Sequence, residues 1–172
     1  LYHQIENTFP FIRKIFGIIK QLNGLPIIIL EYVEGESLDK FILSEKKIEF
    51  NTKIKIIIEI LLSVYYVHSN GFYFRDLKPG NIIINSKNDA ILIDLDSSKE
   101  MYSPIEEHTG NIGDFIFAAP EQHNSNNYTY KVDSYSIGMI IHFIITRHEY
   151  FFSYEDLSEI YERKANISKS KK

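Results

Sequence analysis

Four polar side chains near the middle of the chain have the types and the spacing that phosphoryl transfer requires. Asp76 is followed by Lys78 and Asn81, and a second carboxylate, Asp94, ends an apolar segment. Asp76 could accept or orient a substrate hydroxyl, and Lys78 could neutralise a γ-phosphate. Asn81 and Asp94 offer the hard oxygen ligands that magnesium prefers. An Asp-x-Lys pair alone is usually a solvated surface pair, so the complete set carries the prediction.

Two elements are predicted to position these side chains. A long helix is predicted over residues 51–69, where apolar residues recur at helical spacing and the pair Asn70-Gly71 ends the pattern. The Ile-rich runs 82–84 and 91–93 flank a polar turn, which predicts a β-hairpin buried on both faces. The catalytic candidates therefore lie at the edges of this hairpin.

The start of the chain predicts a small sheet and a short helix. Segments 11–19 and 26–33 are rich in isoleucine and are separated by Asn23-Gly24, which predicts two antiparallel strands. Ser37 is predicted to cap a short helix that follows it.

The end of the chain predicts helices after a long loop. Segment 96–113 is polar and irregular, and a loop of that length usually serves a function or is mobile. Segment 131–146 predicts a strongly apolar helix and segment 154–164 an amphipathic one.

Composition narrows the class of protein. With 172 residues and 44% hydrophobic residues, the chain fits one domain with a packed core. It has no cysteine, which excludes disulfides and thiolate zinc sites, and a net charge of −4 gives no reason to expect nucleic acid or an anionic membrane as partner. The apolar runs are too short to span a bilayer. We therefore expect a soluble, cytoplasmic protein.

Four blocks, in order along the chain, resemble the motifs of a eukaryotic-type protein kinase of the Ser/Thr class. They resemble in turn the gatekeeper and hinge, the catalytic loop, the end of the activation segment and the central helix of the large lobe: residues 30–35, 74–81, 119–121 and 133–138. The pair Lys78-Pro79 resembles Ser/Thr rather than Tyr kinases. The resemblance implies an α+β, protein-kinase-like fold, with a mostly helical large lobe and a remnant of the small-lobe antiparallel sheet.

The resemblance also implies the reaction and its participants. ATP with Mg²⁺ would be the phosphoryl donor, and a hydroxyl of a protein substrate would be the acceptor. Asp76 and Lys78 would be catalytic, whereas Asn81 and Asp94 would hold the metal and the nucleotide.

A nucleotide-binding hinge is implied in the same way. The adenine ring would contact Leu30 as gatekeeper, backbone groups of Glu31 and Val33, and Ile83 beneath it.

Regulation and support of the catalytic loop are implied as well. Arg75 resembles the arginine that grips an activation-loop phosphate, and the candidate acceptors are Ser97, Ser98, Tyr102, Ser103 and Thr109. Asp133 falls where the family anchors the catalytic-loop backbone. Phe74 stands where the family usually has histidine, and it is expected to fill the same apolar column.

The sequence departs from the family pattern at several points. The glycine-rich phosphate loop, the strand lysine and its partner glutamate would precede Phe9, where the chain has eight residues. Asp96 replaces the glycine of Asp-Phe-Gly, where it could bind metal or obstruct the active turn, and Asp114 replaces a threonine near the catalytic pair, which we expect to be damaging. The last large-lobe helices would follow residue 172.

We therefore predict a kinase domain that is truncated at both ends. Its parts are a small-lobe remnant and hinge over 1–33, a large lobe over 34–165 and a basic tail over 166–172. A partner, or the rest of a longer protein, would cover the apolar surface that the missing parts expose.

Two other functions remain open. The missing phosphate loop, Asp96 and Asp114 favour a pseudokinase-like binding or regulatory module. The acidic pair Asp94-Leu95-Asp96 also resembles small-molecule phosphotransferases of the aminoglycoside or choline kinase type, although Lys78 and the motif at 119–121 belong to the protein-kinase pattern.

Overall fold

The structure is a computed structural model, and it describes residues 9–20, 26–44, 47–101, 116–124 and 128–147. Its elements in chain order are β1 (Ile15–Lys20), β2 (Pro26–Leu30), β3 (Glu36–Ser37), α1 (Leu38–Leu43), α2 (Phe50–Ser69), β4 (Phe72–Tyr73), a 3₁₀ turn (Pro79–Asn81), β5 (Ile82–Ile84), β6 (Ala90–Leu92), β7 (Lys99–Glu100), α3 (Pro120–Asn124) and α4 (Lys131–Thr146). Contacts divide the chain into two units, the first made of Leu1–Asn70 and Gly80–Asp94 and the second of Gly71–Pro79 and Leu95–Lys172.

In the first unit, β1 and β2 form the antiparallel pair that the Ile-rich segments predicted. The turn predicted at Asn23-Gly24 lies outside the described residues. Strand β1 begins later than predicted because the residues before it pair elsewhere. Ile12 forms a parallel bridge with Leu92 of β6, and Phe11 accepts a hydrogen bond from Ser63 of α2 at 3.1 Å.

Helix α2 confirms the predicted long helix, with Asn70 as its C-cap and Gly71 in a left-handed conformation (φ +83°). The helix is apolar over most of its circumference, so the sequence did not distinguish its buried face from its exposed one. The buried apolar residues are Ile56, Ile57, Ile60, Val64 and Val67. A second apolar stripe is exposed and consists of Ile58, Leu61, Leu62 and Tyr65.

The hairpin predicted after the catalytic candidates is confirmed as β5 and β6, but the predicted burial holds for one face only, because Ile83 and Ile91 on the other face are partly buried. Ile82 lies opposite Leu92 and Ile84 opposite Ala90, and all four side chains are buried. Strand β3 extends this sheet by pairing with β5, which the sequence did not predict. The helix predicted after Ser37 is confirmed as α1, but the predicted cap is wrong. The Ser37 side chain makes no capping hydrogen bond, and its residue pairs with Ile83 as part of β3.

A polar cluster holds the turn of this hairpin against α2. Lys55 donates hydrogen bonds to Asp89 at 2.7 Å and to the Lys87 carbonyl at 2.9 Å, and the Glu59 carboxylate accepts the Ala90 N–H at 2.8 Å. The hydrogen bond from Lys55 lowers the pKa of the Asp89 carboxyl, whereas burial raises the pKa of Glu59. The cluster fixes the turn end of the hairpin, opposite to the strand ends next to Asn81 and Asp94.

Gly35 lies where a side chain has no room. A Cβ atom there would be 2.3 Å from the Ile84 carbonyl oxygen and 2.7 Å from Ile83 Cγ2, and the backbone has φ +153°. We expect Gly35→Ala to lower the free energy of unfolding by about 2 kcal/mol, from steric overlap and backbone strain. Urea denaturation measures the effect. Gly80→Ala is the matched control because a Cβ at Gly80 meets nothing within 4 Å, and equal losses in both variants would contradict the prediction.

The second unit contains β4, β7, α3 and α4. Helix α4 confirms the predicted apolar helix at 131–146. Strand β7 corrects the predicted loop, because Lys99 and Glu100 pair with Tyr73 and Phe72 of β4. A short strand of two polar residues has no apolar alternation by which to recognise it. The rest of that predicted loop from residue 102, the helix predicted at 154–164 and the basic tail lie outside the described residues.

Candidate active site

The two predicted catalytic side chains form an ion pair in the second unit. Lys78 Nζ donates a hydrogen bond to Asp76 Oδ2 at 2.8 Å. The side chains are 16% exposed for Asp76 and 30% exposed for Lys78. They are therefore partly enclosed but remain accessible, as a proton acceptor and a phosphate-binding cation would have to be.

A buried carboxylate holds the backbone just before Asp76. Asp133, in the first turn of α4, is 0% exposed, and its two oxygens accept the N–H groups of Phe74 at 2.8 Å and Arg75 at 3.0 Å. Arg75 has φ 70°, a left-handed conformation that is uncommon outside glycine. Asp133 thus occupies the anchoring position that the resemblance implied, and the residue it anchors precedes the catalytic candidate.

The side chain of Arg75 contacts the segment after the hairpin. Its Nε donates a hydrogen bond to the carbonyl oxygen of Ser97. Ser97 and Ser98 are both partly buried. The other candidate phosphate acceptors, Tyr102, Ser103 and Thr109, lie outside the described residues.

Gln122 is a polar residue of this region that the sequence reasoning missed. It is 4% exposed, and its side-chain amide donates to the Arg75 carbonyl at 2.7 Å while accepting the Ala119 N–H at 2.9 Å. A glutamine in a helix of five residues gives no signal by type or spacing. Its neighbourhood, directly after the motif at 119–121, was the available clue.

The two predicted metal ligands lie at the same end of the hairpin in the first unit. Asn81 directly precedes β5 and Asp94 follows β6 by two residues. The Ile93 N–H donates to the Asn81 carbonyl oxygen at 3.0 Å, which joins the two strand ends. An amide oxygen and a carboxylate fit magnesium, which commonly takes one or two protein oxygens and completes its coordination with water and phosphate. Within the described residues, no group of three or more His, Cys, Asp or Glu side chains is placed to hold a metal alone.

The predicted hinge follows β2. Leu30 is the last residue of that strand, and Glu31 continues the pairing, because its N–H donates to the Lys14 carbonyl at 2.9 Å. Ile83 is the central, partly buried residue of β5, and Val33 is also partly buried. Because the Glu31 N–H is already paired with Lys14, a nucleotide at the predicted hinge would contact the Glu31 carbonyl oxygen.

Three residues depart from the family pattern, and the structure describes two of them, Phe74 and Asp96. Phe74 is buried at 3% exposure, as expected for a residue of an apolar column, and Leu77 and Leu95 are also buried. Asp96 is exposed. Asp114 lies outside the described residues.

Comparisons with known proteins identify the family. A family model described as "protein kinase domain" matches residues 2–172. The chain is 31% identical over 120 residues to a probable Ser/Thr protein kinase, PknB, of Lactococcus lactis, covering 69% of this chain and 19% of that protein. It is 26% identical over 140 residues to the Ser/Thr protein kinase PknB of Mycobacterium leprae, covering 80% of this chain and 22% of that protein. The chain thus spans about a fifth of the length of these relatives.

A solved structure confirms the fold class. A chain of the yeast RNA Pol II CTD kinase CTDK-1 complex resembles this structure with a TM-score of 0.73 at 22% sequence identity, covering 88% of this chain and 50% of that one. Separately, no helix among the described residues is both long and apolar enough to cross a membrane. The family match and the fold agree with the four ordered motifs, and the chain therefore belongs to the protein kinase family, with relatives in the Ser/Thr class.

Proposed function

We propose that this chain is the catalytic part of a cytoplasmic Ser/Thr protein kinase, which transfers the γ-phosphoryl group of ATP to a protein hydroxyl. The observation that carries the proposal is the Asp76–Lys78 pair, at 2.8 Å, on a loop whose backbone is held by buried Asp133. In phosphoryl transfer the protein mainly positions the reactants and neutralises charge. A partly enclosed carboxylate beside an ammonium group supplies both functions.

In this proposal each side chain has one role. Asp76 orients the substrate hydroxyl and accepts its proton, and Lys78 stabilises the negative charge on the transferred group. Asn81 and Asp94 would hold Mg²⁺, which supplies charge neutralisation at the phosphates when it is bound. Arg75 is proposed as the contact to a phosphorylated residue of the activation segment.

The nucleotide-binding role of the hinge is part of the same proposal. Leu30 and Ile83 would bound the adenine ring, and the Glu31 carbonyl with backbone groups of Val33 would bind its polar edge. The pairing of the Glu31 N–H with Lys14 supports this orientation, because it fixes the peptide group directly before the one that carries the proposed acceptor.

Binding of ATP with magnesium is the first test of the proposal. For the purified chain we expect ATP at about ten times its Kd to raise the melting temperature by roughly 3 °C or more with Mg²⁺ and by less without it. Asp94→Asn should remove most of the magnesium-dependent part, because it removes the charged oxygen ligand. Glu100→Gln, at an exposed carboxylate on β7, should leave the rise unchanged.

The outcomes separate the functions that the sequence left open. A magnesium-dependent rise together with phosphorylation of a protein substrate supports the kinase. A rise without any phosphorylation supports the pseudokinase-like module instead. Phosphorylation of an aminoglycoside or choline but of no protein would favour the small-molecule phosphotransferase, against which the family match already argues. A well-folded sample with no rise contradicts the proposed nucleotide site.

A further inference from the structure

The peptide group between Arg75 and Asp76 is the backbone unit that aims the proposed catalytic carboxylate. Arg75 is held in its left-handed conformation from several directions in the second unit. Its N–H donates to Asp133 at 3.0 Å, and its Nε donates to the Ser97 carbonyl. These contacts hold the N–H and the side chain of Arg75. They do not hold its carbonyl group, which belongs to the peptide that leads into Asp76.

Gln122 holds that carbonyl side. Its Nε2 donates to the Arg75 carbonyl oxygen at 2.7 Å, and its Oε1 accepts the Ala119 N–H at 2.9 Å. The Gln122 N–H in turn donates to the Ala119 carbonyl at 2.9 Å. One buried amide side chain therefore connects the residue before Asp76 to the first residue of the motif at 119–121.

We propose that Gln122 is a positioning residue, which sets the direction of the Asp76 carboxylate by orienting the Arg75–Asp76 peptide and couples that direction to the end of the activation segment. A left-handed residue without glycine's freedom keeps its conformation only while its surroundings determine it. A buried amide that both donates and accepts cannot rotate without leaving one of its partners unpaired. A shift of the peptide plane moves the Asp76 side chain, and misplacements of about 1 Å can cost about a hundredfold in rate.

Gln122→Glu is the most informative variant. It keeps the side-chain shape and an oxygen acceptor for the Ala119 N–H, but it replaces the donor to the Arg75 carbonyl by a carboxylate oxygen. Gln122→Met keeps the length and removes both hydrogen bonds. The matched control is Ser136→Ala, because the Ser136 hydroxyl donates to the Phe117 carbonyl at 2.8 Å and so anchors the same segment without touching Arg75.

Two readouts test the inference on the whole chain. The first rests on the proposed function and is steady-state kinetics with ATP and a protein substrate. Gln122→Glu is expected to lower kcat about tenfold or more with little change in the KM for ATP. Ser136→Ala is expected to lower the apparent kcat only through the smaller fraction of folded protein that its melting temperature indicates. The second readout is amide hydrogen exchange of residues 72–78, which does not require activity. The Phe74 and Arg75 amides, both bonded to Asp133, should exchange faster in Gln122→Glu than in Ser136→Ala.

The readouts distinguish failure of this inference from failure of the proposed function. If the wild-type chain shows no phosphorylation but exchange at 72–78 rises only in the Gln122 variants, the proposed function fails and the positioning role stands. If the wild-type chain is active and Gln122→Glu matches Ser136→Ala in both kcat and exchange, Gln122 is structural only and the inference is overturned. Unchanged exchange in Gln122→Glu overturns it whatever the activity.

Discussion

Asp133→Ala is expected to lower the free energy of unfolding by about 3–5 kcal/mol. Each carboxylate oxygen of Asp133 accepts one backbone N–H, from Phe74 and from Arg75, and the side chain is fully buried. Alanine leaves both donors unpaired in the interior, and each unsatisfied buried donor costs about 1–3 kcal/mol. The left-handed backbone of Arg75 also loses one of its restraints. Urea denaturation, followed by circular dichroism, measures the change.

The control for this prediction separates the buried contacts from a general loss of charge. Asp96→Asn removes one negative charge from an exposed aspartate of the same unit, and it should change the free energy of unfolding by less than about 0.5 kcal/mol. Asp133→Asn should fall between the two, because an amide oxygen can still accept one N–H while its nitrogen faces the other. A midpoint for Asp133→Ala equal to that of Asp96→Asn would show that the two hydrogen bonds do not stabilise the loop.

Asp76→Asn is expected to lower kcat for protein phosphorylation by about 10²–10⁴-fold, the range associated with a general base. The substitution keeps the size of the side chain but removes the charge that would accept the substrate proton. It also replaces the ion pair with Lys78, which is 2.8 Å long in the wild-type chain, by a weaker hydrogen bond between uncharged and charged groups. Phosphate transfer to a generic protein substrate, measured with labelled ATP, gives the rate.

Binding separates a chemical role of Asp76 from a structural one. Asparagine keeps the size of Asp76 and an oxygen that can accept from Lys78, so Asp76→Asn should change the melting temperature little, and it should leave the magnesium-dependent rise with ATP in place. A variant that keeps at least half of the wild-type kcat would refute the assignment of Asp76 as proton acceptor. Loss of ATP binding together with activity would instead indicate that Asp76 holds the nucleotide or its metal.

The parts of the fold that the sequence predicted well are those with a strong periodic signal or a familiar motif. Helix α4 matched its predicted bounds because its apolar run is long, and the β5–β6 hairpin was found from two Ile-rich runs around a polar turn. The motif indicated that Asp76 and Lys78 act together, and their side chains do form a pair, while their catalytic role stays a prediction.

Other features depend on tertiary contacts that leave no local pattern. The buried face of α2 is decided by what packs against it, and the exposed stripe at Ile58 and Tyr65 is equally apolar in sequence. Strand β7 exists because β4 offers it a partner. Ser37 has the residue type of a cap, but its backbone is used by the sheet. Gln122 became interpretable only when its amide was seen to contact residues far from it in the chain.

Arg75 is a position where the best backbone and the best side chain are different amino acids. Its φ of 70° is a conformation that glycine adopts at little cost, so glycine would fit the turn most comfortably. Glycine, however, has no side-chain donor to reach the Ser97 carbonyl, and it would enlarge the set of conformations open to the unfolded chain. The loop before Asp76 therefore combines a strained backbone at Arg75 with a hydrogen bond to a residue far along the chain. Arginine at this position therefore keeps a strained backbone conformation together with a side-chain hydrogen bond that glycine cannot make.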